Sequence, residues 1–425
     1  MALATVTVEV AFDKGITETA SDSDFTTIST DNTIREFQIV RGRQQELSTN
    51  QAGRAVVICN NTNGKLDPSN TGSGTPYYDG GTKVLPGRHI RIKATDPSTS
   101  TVYVIFRGFV ERWVQEYPGE LDQVTRIECV DAFKVLSMAY CDGSSESQEL
   151  SGLRVANLLD QASWPNGGSA GAVSVAGYRD IDNTSSNETV PAKTYTTTMD
   201  VLLQTQDIET AEIGSFFVSR SGVMTFKNRL NRISEFATIA ATFSDTSTAD
   251  GRLKYNGLDF SMDDHNVVNR VDTALYSSGS AGTQQNDTTS QASYGLRAMT
   301  QTGLMLTATA DATAWAEYII GRQANPANRV QSITLRPQEQ DALWAKVLPA
   351  ELGNAYVIER TPAAGNAITS TNICERLIHK GKGNQWLTKM ELSPADTAGY
   401  WVLDDGSGTY AAFSELSNTT RLFYG

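Results

Sequence analysis

The chain has 425 residues, a formal net charge of −13, 34 glycines and only three histidines. That length suggests about two to four domains. The acidic balance excludes a nucleic-acid reader, which needs a basic face to release counterions, and no apolar run reaches the roughly 18 residues of a membrane helix. Met1 to Thr7 lacks the basic and apolar regions of a signal peptide and reads instead as a first strand, with Val6, Val8 and Val10 on one face. Thr17 to Asp31 is a polar stretch with little to bury, hence a surface loop. From Arg35 the pattern is short strands broken by turns. Phe37 and Ile39 alternate with Gln38 and Val40, and Ala55 to Cys59 is a strand buried on both faces. Asn63-Gly64 and Leu85-Pro86-Gly87 are turns, and His89 to Ala94, Val102 to Phe106 and Phe109 to Trp113 are further strands. Strands and turns at this density predict an antiparallel barrel or sandwich.

Beyond Val130 the period changes. Asp131 caps a helix carrying Phe133, Leu136 and Tyr140. Leu150 to Ala162 predicts a second helix with Ser151 as its cap, ended by Trp164-Pro165-Asn166-Gly167-Gly168. Residues 166–190 are Gly/Ser/Asn-rich and read as a long loop or β-arm. Thr198 is the expected cap of a helix over Met199 to Glu212, and Phe216 to Phe226 is a hairpin with Ser221-Gly222 at its tip. A second β region follows from Glu235, with strands over Tyr255 to Phe260 and Val267 to Leu275 around an Asp263-Asp264-His265-Asn266 turn. Residues 277–293 are a low-complexity loop. Ala310 to Gln323 is a helix with Trp315, Tyr318, Ile319 and Arg322 at helical spacing and Asp311 suiting its dipole. Val330 to Leu335 is a strand, a short helix runs from Pro337 to Leu348, and Ile373 to His379 and Trp386 to Leu392 form the last hairpin.

An ordered set of motifs runs through these elements: R-G-R-Q-Q-E-L at 41–47, Q-A-G at 51–53, and N-x-x-G-x-L-D-P-x-N at 61–70. A P-Y pair at 76–77, P-G-R-H-I-R-I at 86–92 and R-G-F-V at 107–110 come next. F-F-V-S-R-S-G-V-M-T-F-K-N-R spans 216–229, and I-H-K-G at 378–381 precedes W-L-T-K-M-E-L-S-P-A-D at 386–396. No single motif is specific, but the set in this order resembles the minor tail proteins that form the baseplate hub at the tail tip of siphophages. The resemblance implies a mainly β chain with α insertions (α+β). It implies two tail-tube-like β-barrel domains: residues 1–130, completed by the 214–234 hairpin, and residues 235–396. It places a helical insertion at 131–213 and an aromatic C-terminal tail at 397–425.

Searches for chemistry mostly end empty. There is no G-x-S-x-G, H-E-x-x-H, Walker loop or G-x-G-x-x-G. His89, His265 and His379 are far apart in sequence and read as structural. Cys59, Cys129, Cys141 and Cys374 contain no C-x-x-C pair and are expected as free thiols, a Cys129–Cys141 disulfide being the lesser possibility. Asp180, Asp182, Asn183 and Glu188 offer oxygen ligands for Ca²⁺ but lack the glycine and final glutamate of the Ca²⁺ loop. Asp263 and Asp264 alternate along the backbone and do not flank one glycosidic bond. Arg88, Arg91 and Lys93 form a basic alternation on one strand, more in keeping with a solvated sheet face than a phosphate track.

No catalytic, cofactor or metal site is therefore expected, and the chain is read as a structural protein, not an enzyme, which the resemblance places in the virion. As the resemblance implies, it would form a homotrimeric ring at the distal end of a long non-contractile tail, assembled in the host cytoplasm. A distal tail protein or the tail tube would lie above it, spike or fibre and tape-measure proteins below or within, and genomic DNA would pass through the lumen without specific binding. Two alternatives remain open: a hexameric distal tail protein, and a carbohydrate-binding or carbohydrate-degrading tail enzyme using Trp164, Trp386 or Trp401 as sugar platforms.

Overall fold

The computed structural model describes residues 3–44, 48–72, 77, 81–235, 238–246, 249–262, 266–326, 328–395, 400–401 and 421–422. The first half supplies strands Thr5–Ala11 (β1), Ile34–Gly42 (β2), Gln51–Asn60 (β3), His89–Thr95 (β4), Val102–Gly119 (β5) and Asp122–Val130 (β6). Helices Phe133–Met138 (α1) and Ser151–Gln161 (α2), strand Arg179–Ile181 (β7) and helix Val201–Glu212 (α3) follow. The hairpin Ser215–Val218 (β8) and Met224–Lys227 (β9) leads into helix Arg229–Glu235 (α4). The second half contains Ile239–Ser244 (β10), Leu253–Lys254 (β11), Gly257–Met262 (β12), Arg270–Leu275 (β13), Thr288–Tyr294 (α5), Ala298–Leu304 (β14) and Thr309–Gln323 (α6). It closes with Asn328–Leu335 (β15), Trp344–Val347 (α7), Ala355–Arg360 (β16), Ile368–Lys382 (β17) and Gln385–Pro394 (β18).

The fold is mainly β with helical insertions, as expected. Instead of two separate sheets, however, both halves share one. Its principal path is β11-β10-β16-β17-β2-β3-β6-β5-β4-β1, with β18, β15 and β12 branching from β17. The strand that joins the halves is β17. Its first six residues pair with β16 (Ile368↔Arg360 to Ile373↔Ala355) and its last seven with β2 (Arg376↔Gly42 to Lys382↔Glu36). Its other edge is taken by β18 from Asn372 to Lys382. Backbone donors and acceptors of a buried strand must all be paired, and a strand of 15 residues is long enough to serve two neighbours in succession. No strand pairing closes the sheet into a barrel among the described residues.

Three apolar cores lie against this frame. One fills the first half and gathers Val8, Val10, Phe37, Ile39, Val57, Ile92, Phe106 and Ile127. Another fills the second half, with Phe243, Ile333, Tyr356, Ile358, Leu377 and Met390. The third belongs to the helices and contains Phe133, Leu136, Leu158, Ile208, Phe216 and Phe226. Val271, Leu275, Leu304, Trp315 and Ile319 join that third core, so β13, β14 and α6 pack with the helical insertion although the sequence places them in the second β module. Trp315 fixes the contact by donating its indole N–H to Thr210 O at 2.9 Å. The 215–227 hairpin extends β7 through Arg179↔Met224 instead of pairing with the first sheet.

Several local expectations are corrected. Ser151 does not cap α2: its hydroxyl donates to Glu212 Oε2 at 2.7 Å. The cap of α3 is Asp200, whose carboxylate accepts from Leu203 N at 3.1 Å, and not Thr198. The 277–293 stretch contains helix α5, started by Asp287 accepting from Ser290 N at 2.8 Å. The Gln45-Glu46-Leu47 end of the first motif, Pro76, the Asp263-Asp264-His265 turn and nearly all of the 397–425 tail lie outside the described residues.

Candidate functional site: the seam at β2 and β17

The residues first considered for chemistry are dispersed and satisfied. His89 Nε2 lies 3.0 Å from Gly15 O and 2.9 Å from Glu18 O. Burial lowers its pKa. His379 is buried beside Trp386 with Nδ1 3.0 Å from Thr388 Oγ1, and burial reinforced by Arg41 brings it down to about 3. Both are neutral at physiological pH and neither meets the other's partners. All four cysteines are free and buried. Burial pushes Cys59 up to about 12 and raises Cys129, Cys141 and Cys374 as well, so these thiols are poor nucleophiles.

Arg91 and Lys93 of the basic alternation are neutralised within the first half. Glu9 takes both Arg91 and Lys93, Asp22 takes a second Arg91 nitrogen, and the Arg91 guanidinium lies 4.1 Å over the Phe25 ring. Arg88 is half-buried on the same strand's approach. The acidic loop is engaged too. Lys227 lies 3.5 Å from Asp180 and 3.7 Å from Asp182, Arg229 is 3.1 Å from Glu188, and Asn183 Oδ1 accepts from Leu153 N at 3.2 Å. Those side chains latch α2 and α4 to the loop. Trp164 and Trp386 are buried with their indole N–H groups donating to Tyr178 O and Thr388 Oγ1, both at 3.0 Å, so neither presents a face to a sugar. Trp401's side chain lies outside the described residues, as do Asp263, Asp264 and His265.

What the fold does assemble is a buried charged junction where β2 meets β17. Gly42 separates Arg41 from Arg43 and has φ +99°, and a Cβ there would stand 2.1 Å from Glu375 O. Only glycine fits this approach. Glu375 is the odd residue of a bulge in β17, its carbonyl accepting from Arg43 N at 2.9 Å. Its carboxylate meets Arg43 Nε at 2.6 Å, Arg232 Nη2 at 3.9 Å and the Ser393 hydroxyl at 2.6 Å. Although burial would raise its pKa, Arg43 and Arg232 hold Glu375 below the usual value. Arg41, on the other side of Gly42, pairs with Glu351, which also accepts from Arg220 N at 2.8 Å.

Glu209, from the last turns of α3, completes the junction. It accepts from Phe216 N at 2.9 Å and Asn50 Nδ2 at 3.3 Å, with Arg43 Nη1 at 4.0 Å. Burial raises Glu209 to about 7, because the nearby guanidiniums are committed chiefly to Glu375. One network thus ties the two halves of the sheet, α3 and α4 together. It lies beside a small cavity lined by Arg43, Glu209, Arg232 and Trp315. It fixes geometry. Sequence reading noticed R-G-R but not Glu375, Glu351 or Glu209. The available signal was a charged residue inside an apolar strand, C-E-R at 374–376, which must find a partner if buried.

No protein-family model matches the chain, and no curated protein sequence matches it. Solved structures do. The tail protein from Neisseria meningitidis MC58 superposes with a TM-score of 0.58 at 11% identity, over 92% of this chain and 96% of that one. The chain shares its fold with a tail protein. A 43 kDa tail protein of prophage MuSo2 from Shewanella oneidensis gives a TM-score of 0.54 at 9% identity, covering 93% of this chain and 98% of its own. The likeness spans both β halves and the helical region between them.

Proposed function

We propose that this chain is a structural virion protein, the baseplate hub at the distal tip of a long non-contractile phage tail. The observation that carries this reading is architectural. Two β halves and a helical insertion, locked by one shared strand and a buried ion network, match tail proteins over more than nine-tenths of their length. The domain reading follows: residues 1–130 as one β module, 131–213 as an insertion that also packs the 266–326 excursion, 235–396 as the second module and 397–425 as a tail. The second module has the makings of a barrel. β11 pairs with β10 and, two residues on, β12 pairs with β15, so strands β10, β16, β17, β18, β15 and β11–β12 surround the second core. The first module curls round its own core with its β1 edge facing Ile34 to Phe37 across a groove.

In this account three copies form a ring with two β modules each, so that three-fold material matches a six-fold tube. The distal tail protein or tube lies above, spike, fibre and tape-measure proteins below or within, and DNA slides through. The work is mechanical and calls for rigid relative placement of the two modules, which the seam supplies. Molar mass in solution tests it. A species three times the 46.0 kDa chain mass is expected. A hexamer would favour a distal tail protein, and a monomer that binds glycans would favour the tail enzyme.

A further inference from the structure

The helical insertion carries an apolar patch that none of the three cores covers. Helix α1 ends at Met138, and the chain runs on to Tyr140, which lies opposite Asp200 in an antiparallel bridge. Val201 N donates to Ala139 O at 3.1 Å, pinning the start of α3 against this segment, and Leu203 follows in the first turn. Met138, Tyr140 and Leu203 are 60%, 62% and 57% exposed, while Leu136 and Val201 beside them are fully buried. Apolar side chains that cluster in the open mark interaction sites more often than single exposed ones do.

The rim of the patch is acidic. Asp200 faces Tyr140, Asp142 is exposed two residues beyond it, and Asp207 lies one turn after Leu203 on the same helical face with its side chain 53% exposed. The cations nearby are engaged. Lys134 pairs with Glu111 at 2.7 Å, and the buried Lys193 ammonium lies 4.4 Å from the Tyr276 ring centroid and 4.0 Å from Asp207. A second copy of a chain carrying −13 would bring acid against acid, an arrangement that like-charge repulsion disfavours.

We infer that the Met138–Tyr140–Leu203 face docks a cationic amphipathic segment of another protein. Apolar side chains of that segment cover the patch, and its Lys or Arg residues meet Asp142, Asp200 and Asp207. The inference does not rest on the ring proposed above.

The probe is a helical peptide of about 18 residues with leucines at helical spacing and lysines between them, titrated onto the full chain, with a Leu/Glu peptide of the same pattern as control. The Leu/Lys peptide is expected to bind. Tyr140→Ser combined with Leu203→Ser should weaken it by roughly tenfold or more, and Met138→Ser alone should weaken it in the same sense. Asp207→Asn should reduce both the affinity and its salt dependence. Unchanged melting curves would confirm that the variants fold. Equal binding by the double variant, or binding of the Leu/Glu peptide as well, would overturn the inference. So would a change in the solution mass of the chain on Tyr140→Ser/Leu203→Ser, which would assign the face to a second copy.

Discussion

At the scale of single residues, the motifs behind the resemblance turn out to be places where backbone or charge must fit closely. Gly64 has φ +63° in a loop that closes on itself: Asn61 Oδ1 accepts from Leu66 N at 3.0 Å, and Asn70 Nδ2 donates to Gly64 O at 2.9 Å. Gly64→Val should therefore cost about 1–2 kcal/mol through strain in the left-handed region. A thermal melt checks this, and an unchanged midpoint would contradict the loop geometry. R-G-R is explained by the seam, where Gly42→Ala would drive a methyl into the Glu375 carbonyl. Removing the cation is a separate test. Arg43→Met leaves the buried Glu375 without its nearest partner and should destabilise the chain by about 3–5 kcal/mol, read by denaturant unfolding.

Glu212 provides a pH test at the same scale. Its Oε2 accepts from Ser151 Oγ at 2.7 Å and Glu188 N at 2.9 Å, and burial raises its pKa to about 7. Because the folded value lies above the unfolded one, the protonated carboxyl's contribution is fully present below the unfolded pKa, near 4.5, and is lost as pH rises through about 7. Glutamine keeps an acceptor oxygen without the charge. Glu212→Gln should match the native chain near pH 4.5 and exceed its stability above pH 7, by on the order of 2–3 kcal/mol for a shift of this size. Parallel melts of the two proteins across that range make the comparison, in which the opposing buried histidines cancel.

At the scale of elements, periodicity made much of the chain legible. Helices α2, α3 and α6 and the 215–227 hairpin stand within about two residues of their expected bounds, the usual uncertainty of helix and strand ends. The exceptions have physical causes. Helix α5 is almost devoid of apolar residues and rests on the Asp287 cap and the Ser290 hydroxyl reaching Ala324 O, so no periodic stripe announces it. Ser151 and Thr198 stand where caps are expected, yet Ser151 is drawn to Glu212 and the true cap of α3 lies two residues later. The pairing of β17 with β2 was not legible at all. Registers between strands more than 300 residues apart depend on long-range complementarity, which local alternation does not encode. For the same reason the seam's charge partners stayed hidden. The aromatic tail supplies a prediction at this level: deleting residues 397–425 should leave both β modules folded and reduce assembly, as circular dichroism and size-exclusion mass would show. Full assembly of the truncated chain would contradict it.

At the scale of the whole molecule, the two β modules are not free to move as independent beads, because one sheet and one ion network run through both. That rigidity suits the ring we propose, which would have to keep its bore while joined to partners on either side. In the proposed ring the formal charge of −13 per chain would have a role. Phosphates are held wherever Lys and Arg neutralise them, and an acidic wall keeps DNA sliding. Pairing of Arg91, Lys93, Arg43 and Arg232 with internal carboxylates withdraws part of the basic charge from the surface. The most direct test is a cryo-electron microscopy reconstruction of the tail tip containing this chain. The account predicts three copies in a ring at the distal end, with Asp and Glu outnumbering Lys and Arg on the lumen wall. A ring of six copies, or a lumen lined by a net excess of Arg and Lys, would contradict it.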